Sequence, residues 1–224
     1  MVLFYQPANL NLWLNEFVMK IMVHATDQQF EILLKKGVPE GISLIRFDQQ
    51  LPETGATAYF DLLFQGAVSP FDFVYAAPVF VNAVNAYNSD LAPNFIRMNA
   101  WPGFLEGHLL EIATADSLFF NSATEILHLL NWGFQAVPDK PGLIAPRIIA
   151  MIINEAYFGW EEKISSKEDI DTAMKLGTNY PLGPFEWGAL IGLDKIVGLL
   201  EKLGQEDERY QIAPALFEAA KKNN

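Results

Sequence analysis

The chain of 224 residues is 51% hydrophobic and 19% charged, so it has enough apolar material for one large or two small domains and is not intrinsically disordered. Its 15 Lys and Arg against 27 Asp and Glu give a net charge of −12, which argues against binding to nucleic acid or to an anionic membrane surface. It has no cysteine, which excludes disulfides, thiolate metal sites and cysteine nucleophiles.

The N-terminal segment, residues 1–19, begins with an apolar run and contains no recognisable motif. It lacks the positively charged start and the small-residue cleavage site of a secretory signal, so we expect a cytoplasmic protein. The sequence also predicts no membrane span, because its richest apolar run, Ile148–Ile153, is far shorter than the roughly 20 residues that a span requires.

A regular pattern follows at residues 20–47. Lys20–Val23 predicts a short strand, Asp27–Lys36 a helix that ends at Gly37, and Ile42–Phe47 a second strand. A strand, a helix and a strand of these lengths are typical of a parallel unit in an α/β domain.

Further apolar runs continue this pattern along the first half of the chain. Tyr59–Phe64 and Phe73–Val84 are rich in Phe, Val and Tyr, and each predicts a buried strand. Ser122–Leu130 predicts a helix, in which His128 is expected to have a structural role. The first half is therefore predicted to be a parallel sheet covered by helices.

The second half is predicted to be helical. Leu143–Trp160 is a long apolar segment with Pro146 placed where a first helical turn tolerates proline. A capping box at residues 165–169 predicts a helix over Glu168–Leu176, and Gly177 is expected to end it.

An irregular elbow and a final helix are expected beyond that point. Tyr180–Glu186 contains two prolines and is predicted to have no regular structure. Asp194 is then expected to cap a last amphipathic helix that runs through Leu203.

Short motifs in this half resemble one known family. They are PGLI at 141–144, NEA at 154–156, the run EDID, AMKLG, YP and GPFE within 168–186, and GLD at 192–194. In this order and spacing they are similar to the C-terminal helical domain of the L-3-hydroxyacyl-CoA dehydrogenases.

The resemblance implies a fold and a set of ligands. It implies a shortened Rossmann-like parallel-sheet domain at residues 1–138, followed by a helical C-terminal domain of the 3-hydroxyacyl-CoA dehydrogenase type at residues 139–224. It also implies an acyl-CoA ligand, NAD as cofactor and a homodimer formed through the helical domain. No metal is expected, because the sequence has no motif with the spacing of metal ligands.

The expected dinucleotide site can be compared with the family's glycine-rich loop, whose glycines let the backbone approach the pyrophosphate. When Lys20–Val23 is aligned with the family's first strand, Ala25, Asp27 and Phe30 occupy the three glycine positions. Asp48 follows the second predicted strand, at the position of the family's ribose-binding acid.

The expected catalytic residues lie in the segment 95–111. In the family a histidine takes the proton of the substrate hydroxyl, and a glutamate twelve residues later orients the imidazole. Glu111 matches that glutamate, but Asn99 stands at the histidine position, and an amide cannot accept a proton near neutral pH. His108 is the alternative base, since in a helix or turn it could reach Glu111.

Two functions follow from this combination. The first is an NAD-dependent L-3-hydroxyacyl-CoA dehydrogenase of fatty-acid metabolism with altered catalytic positions. The second is a catalytically inactive relative that acts as an acyl-CoA-binding or dimeric interaction module. Binding of NADH separates the two, because only the first requires it.

Overall fold

The structure, a computed structural model, describes residues 18–47, 55–113 and 118–222. Its first part contains a five-stranded sheet in which all neighbouring strands are parallel. The strands are β1 (Met19–His24), β2 (Ile42–Arg46), β3 (Ala58–Asp61), β4 (Val79–Val81) and β5 (Phe95–Arg97). They lie in the order β2-β1-β3-β4-β5, so the order reverses at β1. The expected fold class, a parallel sheet followed by a helical part, is confirmed.

One predicted strand is much shorter than expected. Of the range Phe73–Val84, only Val79–Val81 is strand, and the residues before it form turns. The backbone N–H of Val74 bonds the carbonyl of Phe71 at 2.9 Å, and Pro78 has no N–H to contribute to a sheet. Val74 packs against the sheet without belonging to it, whereas Phe73 and Tyr75 are exposed.

The two faces of the sheet are covered differently. Ile21, Phe60 and Phe80 point to a face that packs against the helices α1 (Asp27–Lys35) and α2 (Leu118–Leu129). Met22, Tyr59 and Val79 alternate with them and point to the opposite face, which packs against Phe64 and Phe71 of the irregular segment after β3. Helices therefore cover one face of the sheet in the described part of the chain.

A second, two-stranded sheet joins the first part to the helical part. It is formed by β6 (Leu109–Ala113) and β7 (Gly133–Val137), which are parallel and are connected through α2. An antiparallel bridge between Met98 and Ile112 attaches β6 to the end of β5. The sequence did not predict these strands, because both are short and only partly buried.

The helical part has five helices within the described residues: α3 (Ala145–Glu161), α4 (Lys167–Thr178), α5 (Pro184–Ile191), α6 (Leu193–Gly204) and α7 (Pro214–Lys222). Four of them, α3, α5, α6 and α7, share a core that includes Ile153, Trp187, Leu200 and Leu216. The predicted long apolar helix is confirmed as α3, with Pro146 in its first turn. A division between the two parts at residues 138 and 139 stays a prediction.

Several predicted helix ends were wrong for identifiable reasons. Ser166 caps α4 as expected, and its Oγ accepts the N–H of Asp169 at 3.1 Å. The helix continues through Gly177, however, and ends where Asn179 adopts the left-handed conformation, with φ of 55°. Asparagine tolerates that conformation, so it takes the place expected for glycine.

The last three helices differ from the prediction as well. Pro184 lies in the first turn of α5, where its missing N–H costs nothing, so the expected irregular elbow ends at Gly183. Gly192 precedes α6, and Asp194 lies inside its first turn instead of capping it. Helix α7 follows where no further helix was expected. No helix of the described residues is long and apolar enough to cross a membrane.

The two parts meet around the side chain of Arg97, which is 0% exposed at the end of β5. Its Nε donates to the carbonyl of Ala83 at 3.0 Å, and one Nη donates to the carbonyls of Val84 and Lys140, each at 3.2 Å. The other Nη pairs with the carboxylate of Asp139. Burial lowers the pKa of Arg97 below its ordinary value, and the carboxylate of Asp139 opposes part of that shift. The guanidinium stays charged all the same.

We predict that Arg97→Met lowers the free energy of unfolding by about 3 to 5 kcal/mol, because it removes one partner of a buried ion pair and leaves three carbonyls without their donor. The measurement is urea unfolding followed by circular dichroism. Arg46→Met is the control, since Arg46 and its partner Asp27 form an exposed ion pair. A loss no larger for Arg97→Met than for this control would contradict the role of Arg97 at the junction.

Candidate functional site

A crevice lies where the carboxyl ends of the parallel strands face the helical part. One cavity of about 440 Å³ is bounded by residues of α1, of the loops after β3, β4 and β5, and of α5 and α6. A second cavity, of about 530 Å³, extends toward Trp101 and Lys202. The two share Phe64, Gln65, Asn82 and Lys195. Ligands of open parallel sheets bind at such a position, where the strand order reverses.

The start of α1 is closed by its own side chains. The Oγ1 of Thr26 accepts the N–H of Gln29 at 3.1 Å, and the Oε1 of Gln29 accepts the N–H of Thr26 at 3.0 Å. Asp27 follows in the first turn and pairs with Arg46. An anion at this helix would have to displace the capping box and would meet a carboxylate.

This geometry decides how well the residues fit a dinucleotide. Ala25, Asp27 and Phe30 all carry side chains at the positions where a pyrophosphate requires close approach to the backbone. The residues at the start of α1 therefore do not fit NAD in the family's usual mode. Asp48, expected to bind the ribose, lies outside the described residues.

Asn99 and Glu111 are brought together by the backbone. The N–H of Asn99 donates to the carbonyl of Glu111 at 3.0 Å, beside the bridge that joins β5 to β6. The side-chain oxygen of Asn99, which is buried, accepts the N–H of Trp101 at 3.2 Å. The positions aligned with the family's catalytic pair are therefore adjacent in the fold.

The carboxylate of Glu111 binds the beginning of α3. Its Oε2 accepts the N–H of Ile144 at 3.1 Å and its Oε1 accepts the N–H of Ala145 at 2.9 Å. A carboxylate at a helix N-terminus satisfies free N–H groups and is favoured by the helix dipole. Glu111 thus joins the small sheet to the helical part.

His108 lies away from this pair. It is exposed, and it immediately precedes β6, in which Glu111 lies. The chain bends at His108 and is extended from Leu109 onward, so the helix or turn that would bring His108 to Glu111 is not formed. His108 instead lines a separate groove with Lys36 and Glu106.

A second polar pair, which the sequence did not reveal, lies at the ends of two neighbouring strands. His24 ends β1 and Asp61 ends β3, and the two are partners in the strand register. Their side chains form a hydrogen bond of 2.8 Å between Nδ1 and Oδ1. The only signal in the sequence was that each is a polar residue at the end of an apolar strand. The described residues contain no group of three or more acidic or histidine side chains that could hold a metal ion.

Comparisons with known proteins support the resemblance in the helical part. Residues 142–224 match the family described as 3-hydroxyacyl-CoA dehydrogenase, C-terminal domain. The chain is 45% identical over 86 residues to 3-hydroxyadipyl-CoA dehydrogenase of Escherichia coli, and the aligned region covers 38% of this chain and 18% of that protein. It is 36% identical over 121 residues to 3-hydroxybutyryl-CoA dehydrogenase of Clostridioides difficile, and this aligned region covers 53% of this chain and 41% of that protein. The chain thus aligns with less than half the length of these relatives.

Solved structures show the same fold over a longer range. Mycobacterium tuberculosis FadB2 superposes with a TM-score of 0.69 over 92% of this chain and 94% of its own, at 14% identity, which bears on the fold alone. A 3-hydroxybutyryl-CoA dehydrogenase from Escherichia coli superposes with a TM-score of 0.50 at 36% identity, over 57% of this chain and 27% of its own. The Rossmann-like sheet and the helical domain expected from the sequence are both present in these proteins.

We predict that Glu111→Ala lowers the free energy of unfolding by about 1 to 2 kcal/mol, because two N–H groups at the start of α3 lose their acceptor. Glu111→Gln should cost less, since an amide oxygen still accepts one of them. Chemical denaturation measures both, with Glu125→Ala, an exposed site on α2, as the control. If Glu111→Ala unfolds like the control, the capping role is wrong.

Proposed function

We propose, from the premise that residues 142–224 form a 3-hydroxyacyl-CoA dehydrogenase C-terminal domain, that this protein binds acyl-CoA thioesters in its crevice and does not use the family's route of hydride transfer. The observation that carries the proposal is that the crevice is open, whereas the start of α1 is closed by its own capping box and the side chains of Asn99 and Glu111 bind backbone N–H groups. The protein would act in the cytoplasm as a binding relative of these enzymes.

The lining of the crevice suits a thioester. Leu62, Leu63 and Leu190 offer an apolar surface for an acyl chain, and Asn82 offers an amide to a carbonyl. Lys195 is common to both cavities, and its ammonium has no acidic partner within ion-pair distance in the described part of the chain. In a protein of net charge −12, a lysine without an acidic partner attracts an anionic ligand such as CoA to this crevice.

The chemistry of the substituted positions argues against the family's reaction. Asn99 cannot take a proton from a hydroxyl, and the carboxylate of Glu111 already accepts two N–H groups from α3. At the start of α1, the carboxylate of Asp27 would face a pyrophosphate of the same charge, which costs on the order of a few kcal/mol at a surface-like dielectric.

The second candidate is an active NAD-dependent dehydrogenase in which other residues replace the missing base. It is favoured by the position of the crevice at the reversal of strand order, where dinucleotides bind in folds of this class. It requires a mode of dinucleotide binding that does not depend on the start of α1.

A homodimer through the helical part belongs to the same proposal. Ile148 on α3 is 52% exposed, and with Met151 and Ile152 it lines an apolar groove of about 520 Å³. A solvent-exposed apolar stripe of this kind is typical of a surface that is covered by another copy of the chain. Arg147 and Arg209 border the groove and would lie at the polar rim of such an interface.

We predict that acetoacetyl-CoA quenches or shifts the tryptophan fluorescence of the protein, because Trp101 lines the second cavity. Isothermal titration calorimetry should detect no binding of NADH at concentrations up to about 1 mM, a limit equivalent to a binding free energy weaker than about 4 kcal/mol. Lys195→Ala should weaken binding of acetoacetyl-CoA about fivefold, the effect of one partly exposed charge pair.

Lys221→Ala serves as the control for the lysine substitution, since Lys221 is exposed on α7 and pairs only with Glu218. Saturable NADH binding together with oxidation of NADH by acetoacetyl-CoA would overturn the proposal in favour of the active dehydrogenase. Absence of acetoacetyl-CoA binding to the folded protein would overturn both candidates.

We predict that the protein sediments as a dimer and that Ile148→Glu shifts it to a monomer, because a carboxylate in an apolar interface would be desolvated without a partner. Analytical ultracentrifugation at several protein concentrations measures the shift. Leu109→Glu is the matched control, since Leu109 is equally exposed but lies on β6, away from α3. A dimer that survives Ile148→Glu would place the interface elsewhere.

A further inference from the structure

His24 and Asp61 form a pair that the proposed function leaves unexplained. Asp61 is 1% exposed and its carboxylate accepts three hydrogen bonds. The donors are Nδ1 of His24 at 2.8 Å, Oγ of Ser69 at 2.7 Å and the N–H of Leu63 at 3.2 Å. All three groups donate to the carboxylate, so Asp61 is a buried, hydrogen-bonded carboxylate that orients the imidazole of His24.

The contacts of the imidazole fix both its orientation and its tautomer. A carboxylate can only accept, so Nδ1 carries a proton, and in the neutral imidazole Nε2 then keeps its lone pair. Phe47 and Phe71 contact the ring edge to face, with ring centroids 5.6 Å and 6.5 Å away. Within the described part of the chain Nε2 has no hydrogen-bond partner, and the side chain is 26% exposed. The lone pair is therefore available to an incoming molecule.

The pair lies at the edge of the sheet where the crevice begins. His24 and Asp61 form the last register pair of β1 and β3, and the N–H of Leu62 donates to the carbonyl of His24 at 2.9 Å. Leu62 and Leu63, directly after Asp61, line the smaller cavity, as does Thr26, two residues after His24. His24 itself does not line this cavity, so a substrate reaches Nε2 only by extending from the cavity past Leu62 and Leu63.

We propose that His24, positioned by Asp61, is an acid–base group that hydrolyses acyl esters and thioesters held at this edge of the sheet. The thioester substrate rests on the proposed function, whereas the reactivity of the imidazole does not. An imidazole held by a buried carboxylate, with its second nitrogen free, is the arrangement that general-base catalysis requires. This reaction needs no cofactor, which agrees with the closed start of α1.

The proposed step uses water and no other reactant. Nε2 of His24 takes a proton from a water molecule while the oxygen of that water forms a bond to the carbonyl carbon of the thioester. The bond between that carbon and sulfur then breaks, and the imidazolium returns the proton to the departing thiolate. The products are a carboxylic acid and a free thiol, and Asp61 stabilises the charged imidazolium between the two transfers.

The test measures hydrolysis of p-nitrophenyl acetate and of acetoacetyl-CoA by the full chain and by three variants. After the rate in buffer alone is subtracted, His24→Gln should hydrolyse both substrates about 10²-fold more slowly than the natural protein, the usual effect of removing a general base. His128→Gln is the matched control, since His128 is exposed on α2 and should keep the full rate. Asp61→Asn should reduce kcat more than KM, because a neutral amide no longer stabilises the imidazolium that forms during the reaction.

The tautomer separates loss of the carboxylate charge from loss of the ring orientation. Heteronuclear NMR of the imidazole nitrogens should show the proton of His24 on Nδ1 both in the natural protein and in Asp61→Asn, because the amide oxygen that accepts the N–H of Leu63 also accepts Nδ1–H. A lower kcat with an unchanged tautomer then reports the lost charge. If His24→Gln is too unstable to assay, Ser69→Ala takes its place, since it removes one donor to Asp61 and leaves the ring intact.

The outcomes separate this inference from the proposed function. A rate no higher than that of buffer, or equal rates for His24→Gln and the natural protein, would overturn the inference. Binding of acetoacetyl-CoA without hydrolysis would also overturn it, while leaving the proposed function intact. Hydrolysis of p-nitrophenyl acetate that depends on His24, without binding of acetoacetyl-CoA, would support the inference and overturn the proposed function.

Discussion

The crevice exists because the buried guanidinium of Arg97 joins the sheet to the helical part. Its donors reach the loop after β4 and the residues that lead into α3, so this side chain ties the two parts together beside the crevice. The N–H of Gly142 donates to the carbonyl of Val84 at 2.8 Å and strengthens the same junction. A buried arginine is stable only when its charge is paired and each of its nitrogens donates a hydrogen bond, and Asp139 with the three carbonyls meets that condition.

Glu111 shows how a residue at a catalytic position can serve the fold. Its two bonds to the start of α3 stabilise a helix that contributes Ile149, Ile153 and Tyr157 to the helical core. Several glycines of this part are fixed by packing in the same way: a side chain at Gly183 would collide with Asp171, which accepts the N–H of Phe185 at 2.8 Å. The features that resemble the dehydrogenases are thus those that packing demands, whereas the start of α1 is free to differ.

Local patterns in the sequence predicted what local forces determine. The unit of β1, α1 and β2 follows from alternation, an amphipathic stretch and a glycine stop, and Ser166 is a cap by its own chemistry. The wrongly predicted helix ends depend on which of several nearby residues adopts the left-handed conformation. At the end of α4 that residue is Asn179 and not Gly177. The pair of His24 and Asp61 could not be predicted, because it depends on β3 lying beside β1, a consequence of the tertiary order of strands. The same holds for Glu111, whose partners are thirty-three and thirty-four residues away.

The most direct test of the account is a crystal structure of the protein grown with acetoacetyl-CoA and NADH together. The account predicts density for the thioester between Leu62 and Lys195, with the capping box of Thr26 and Gln29 unbroken and no dinucleotide at the start of α1. Density for NADH across that helix start, with the capping box opened and Asp27 displaced, would contradict the claim that this crevice has lost the family's mode of cofactor binding.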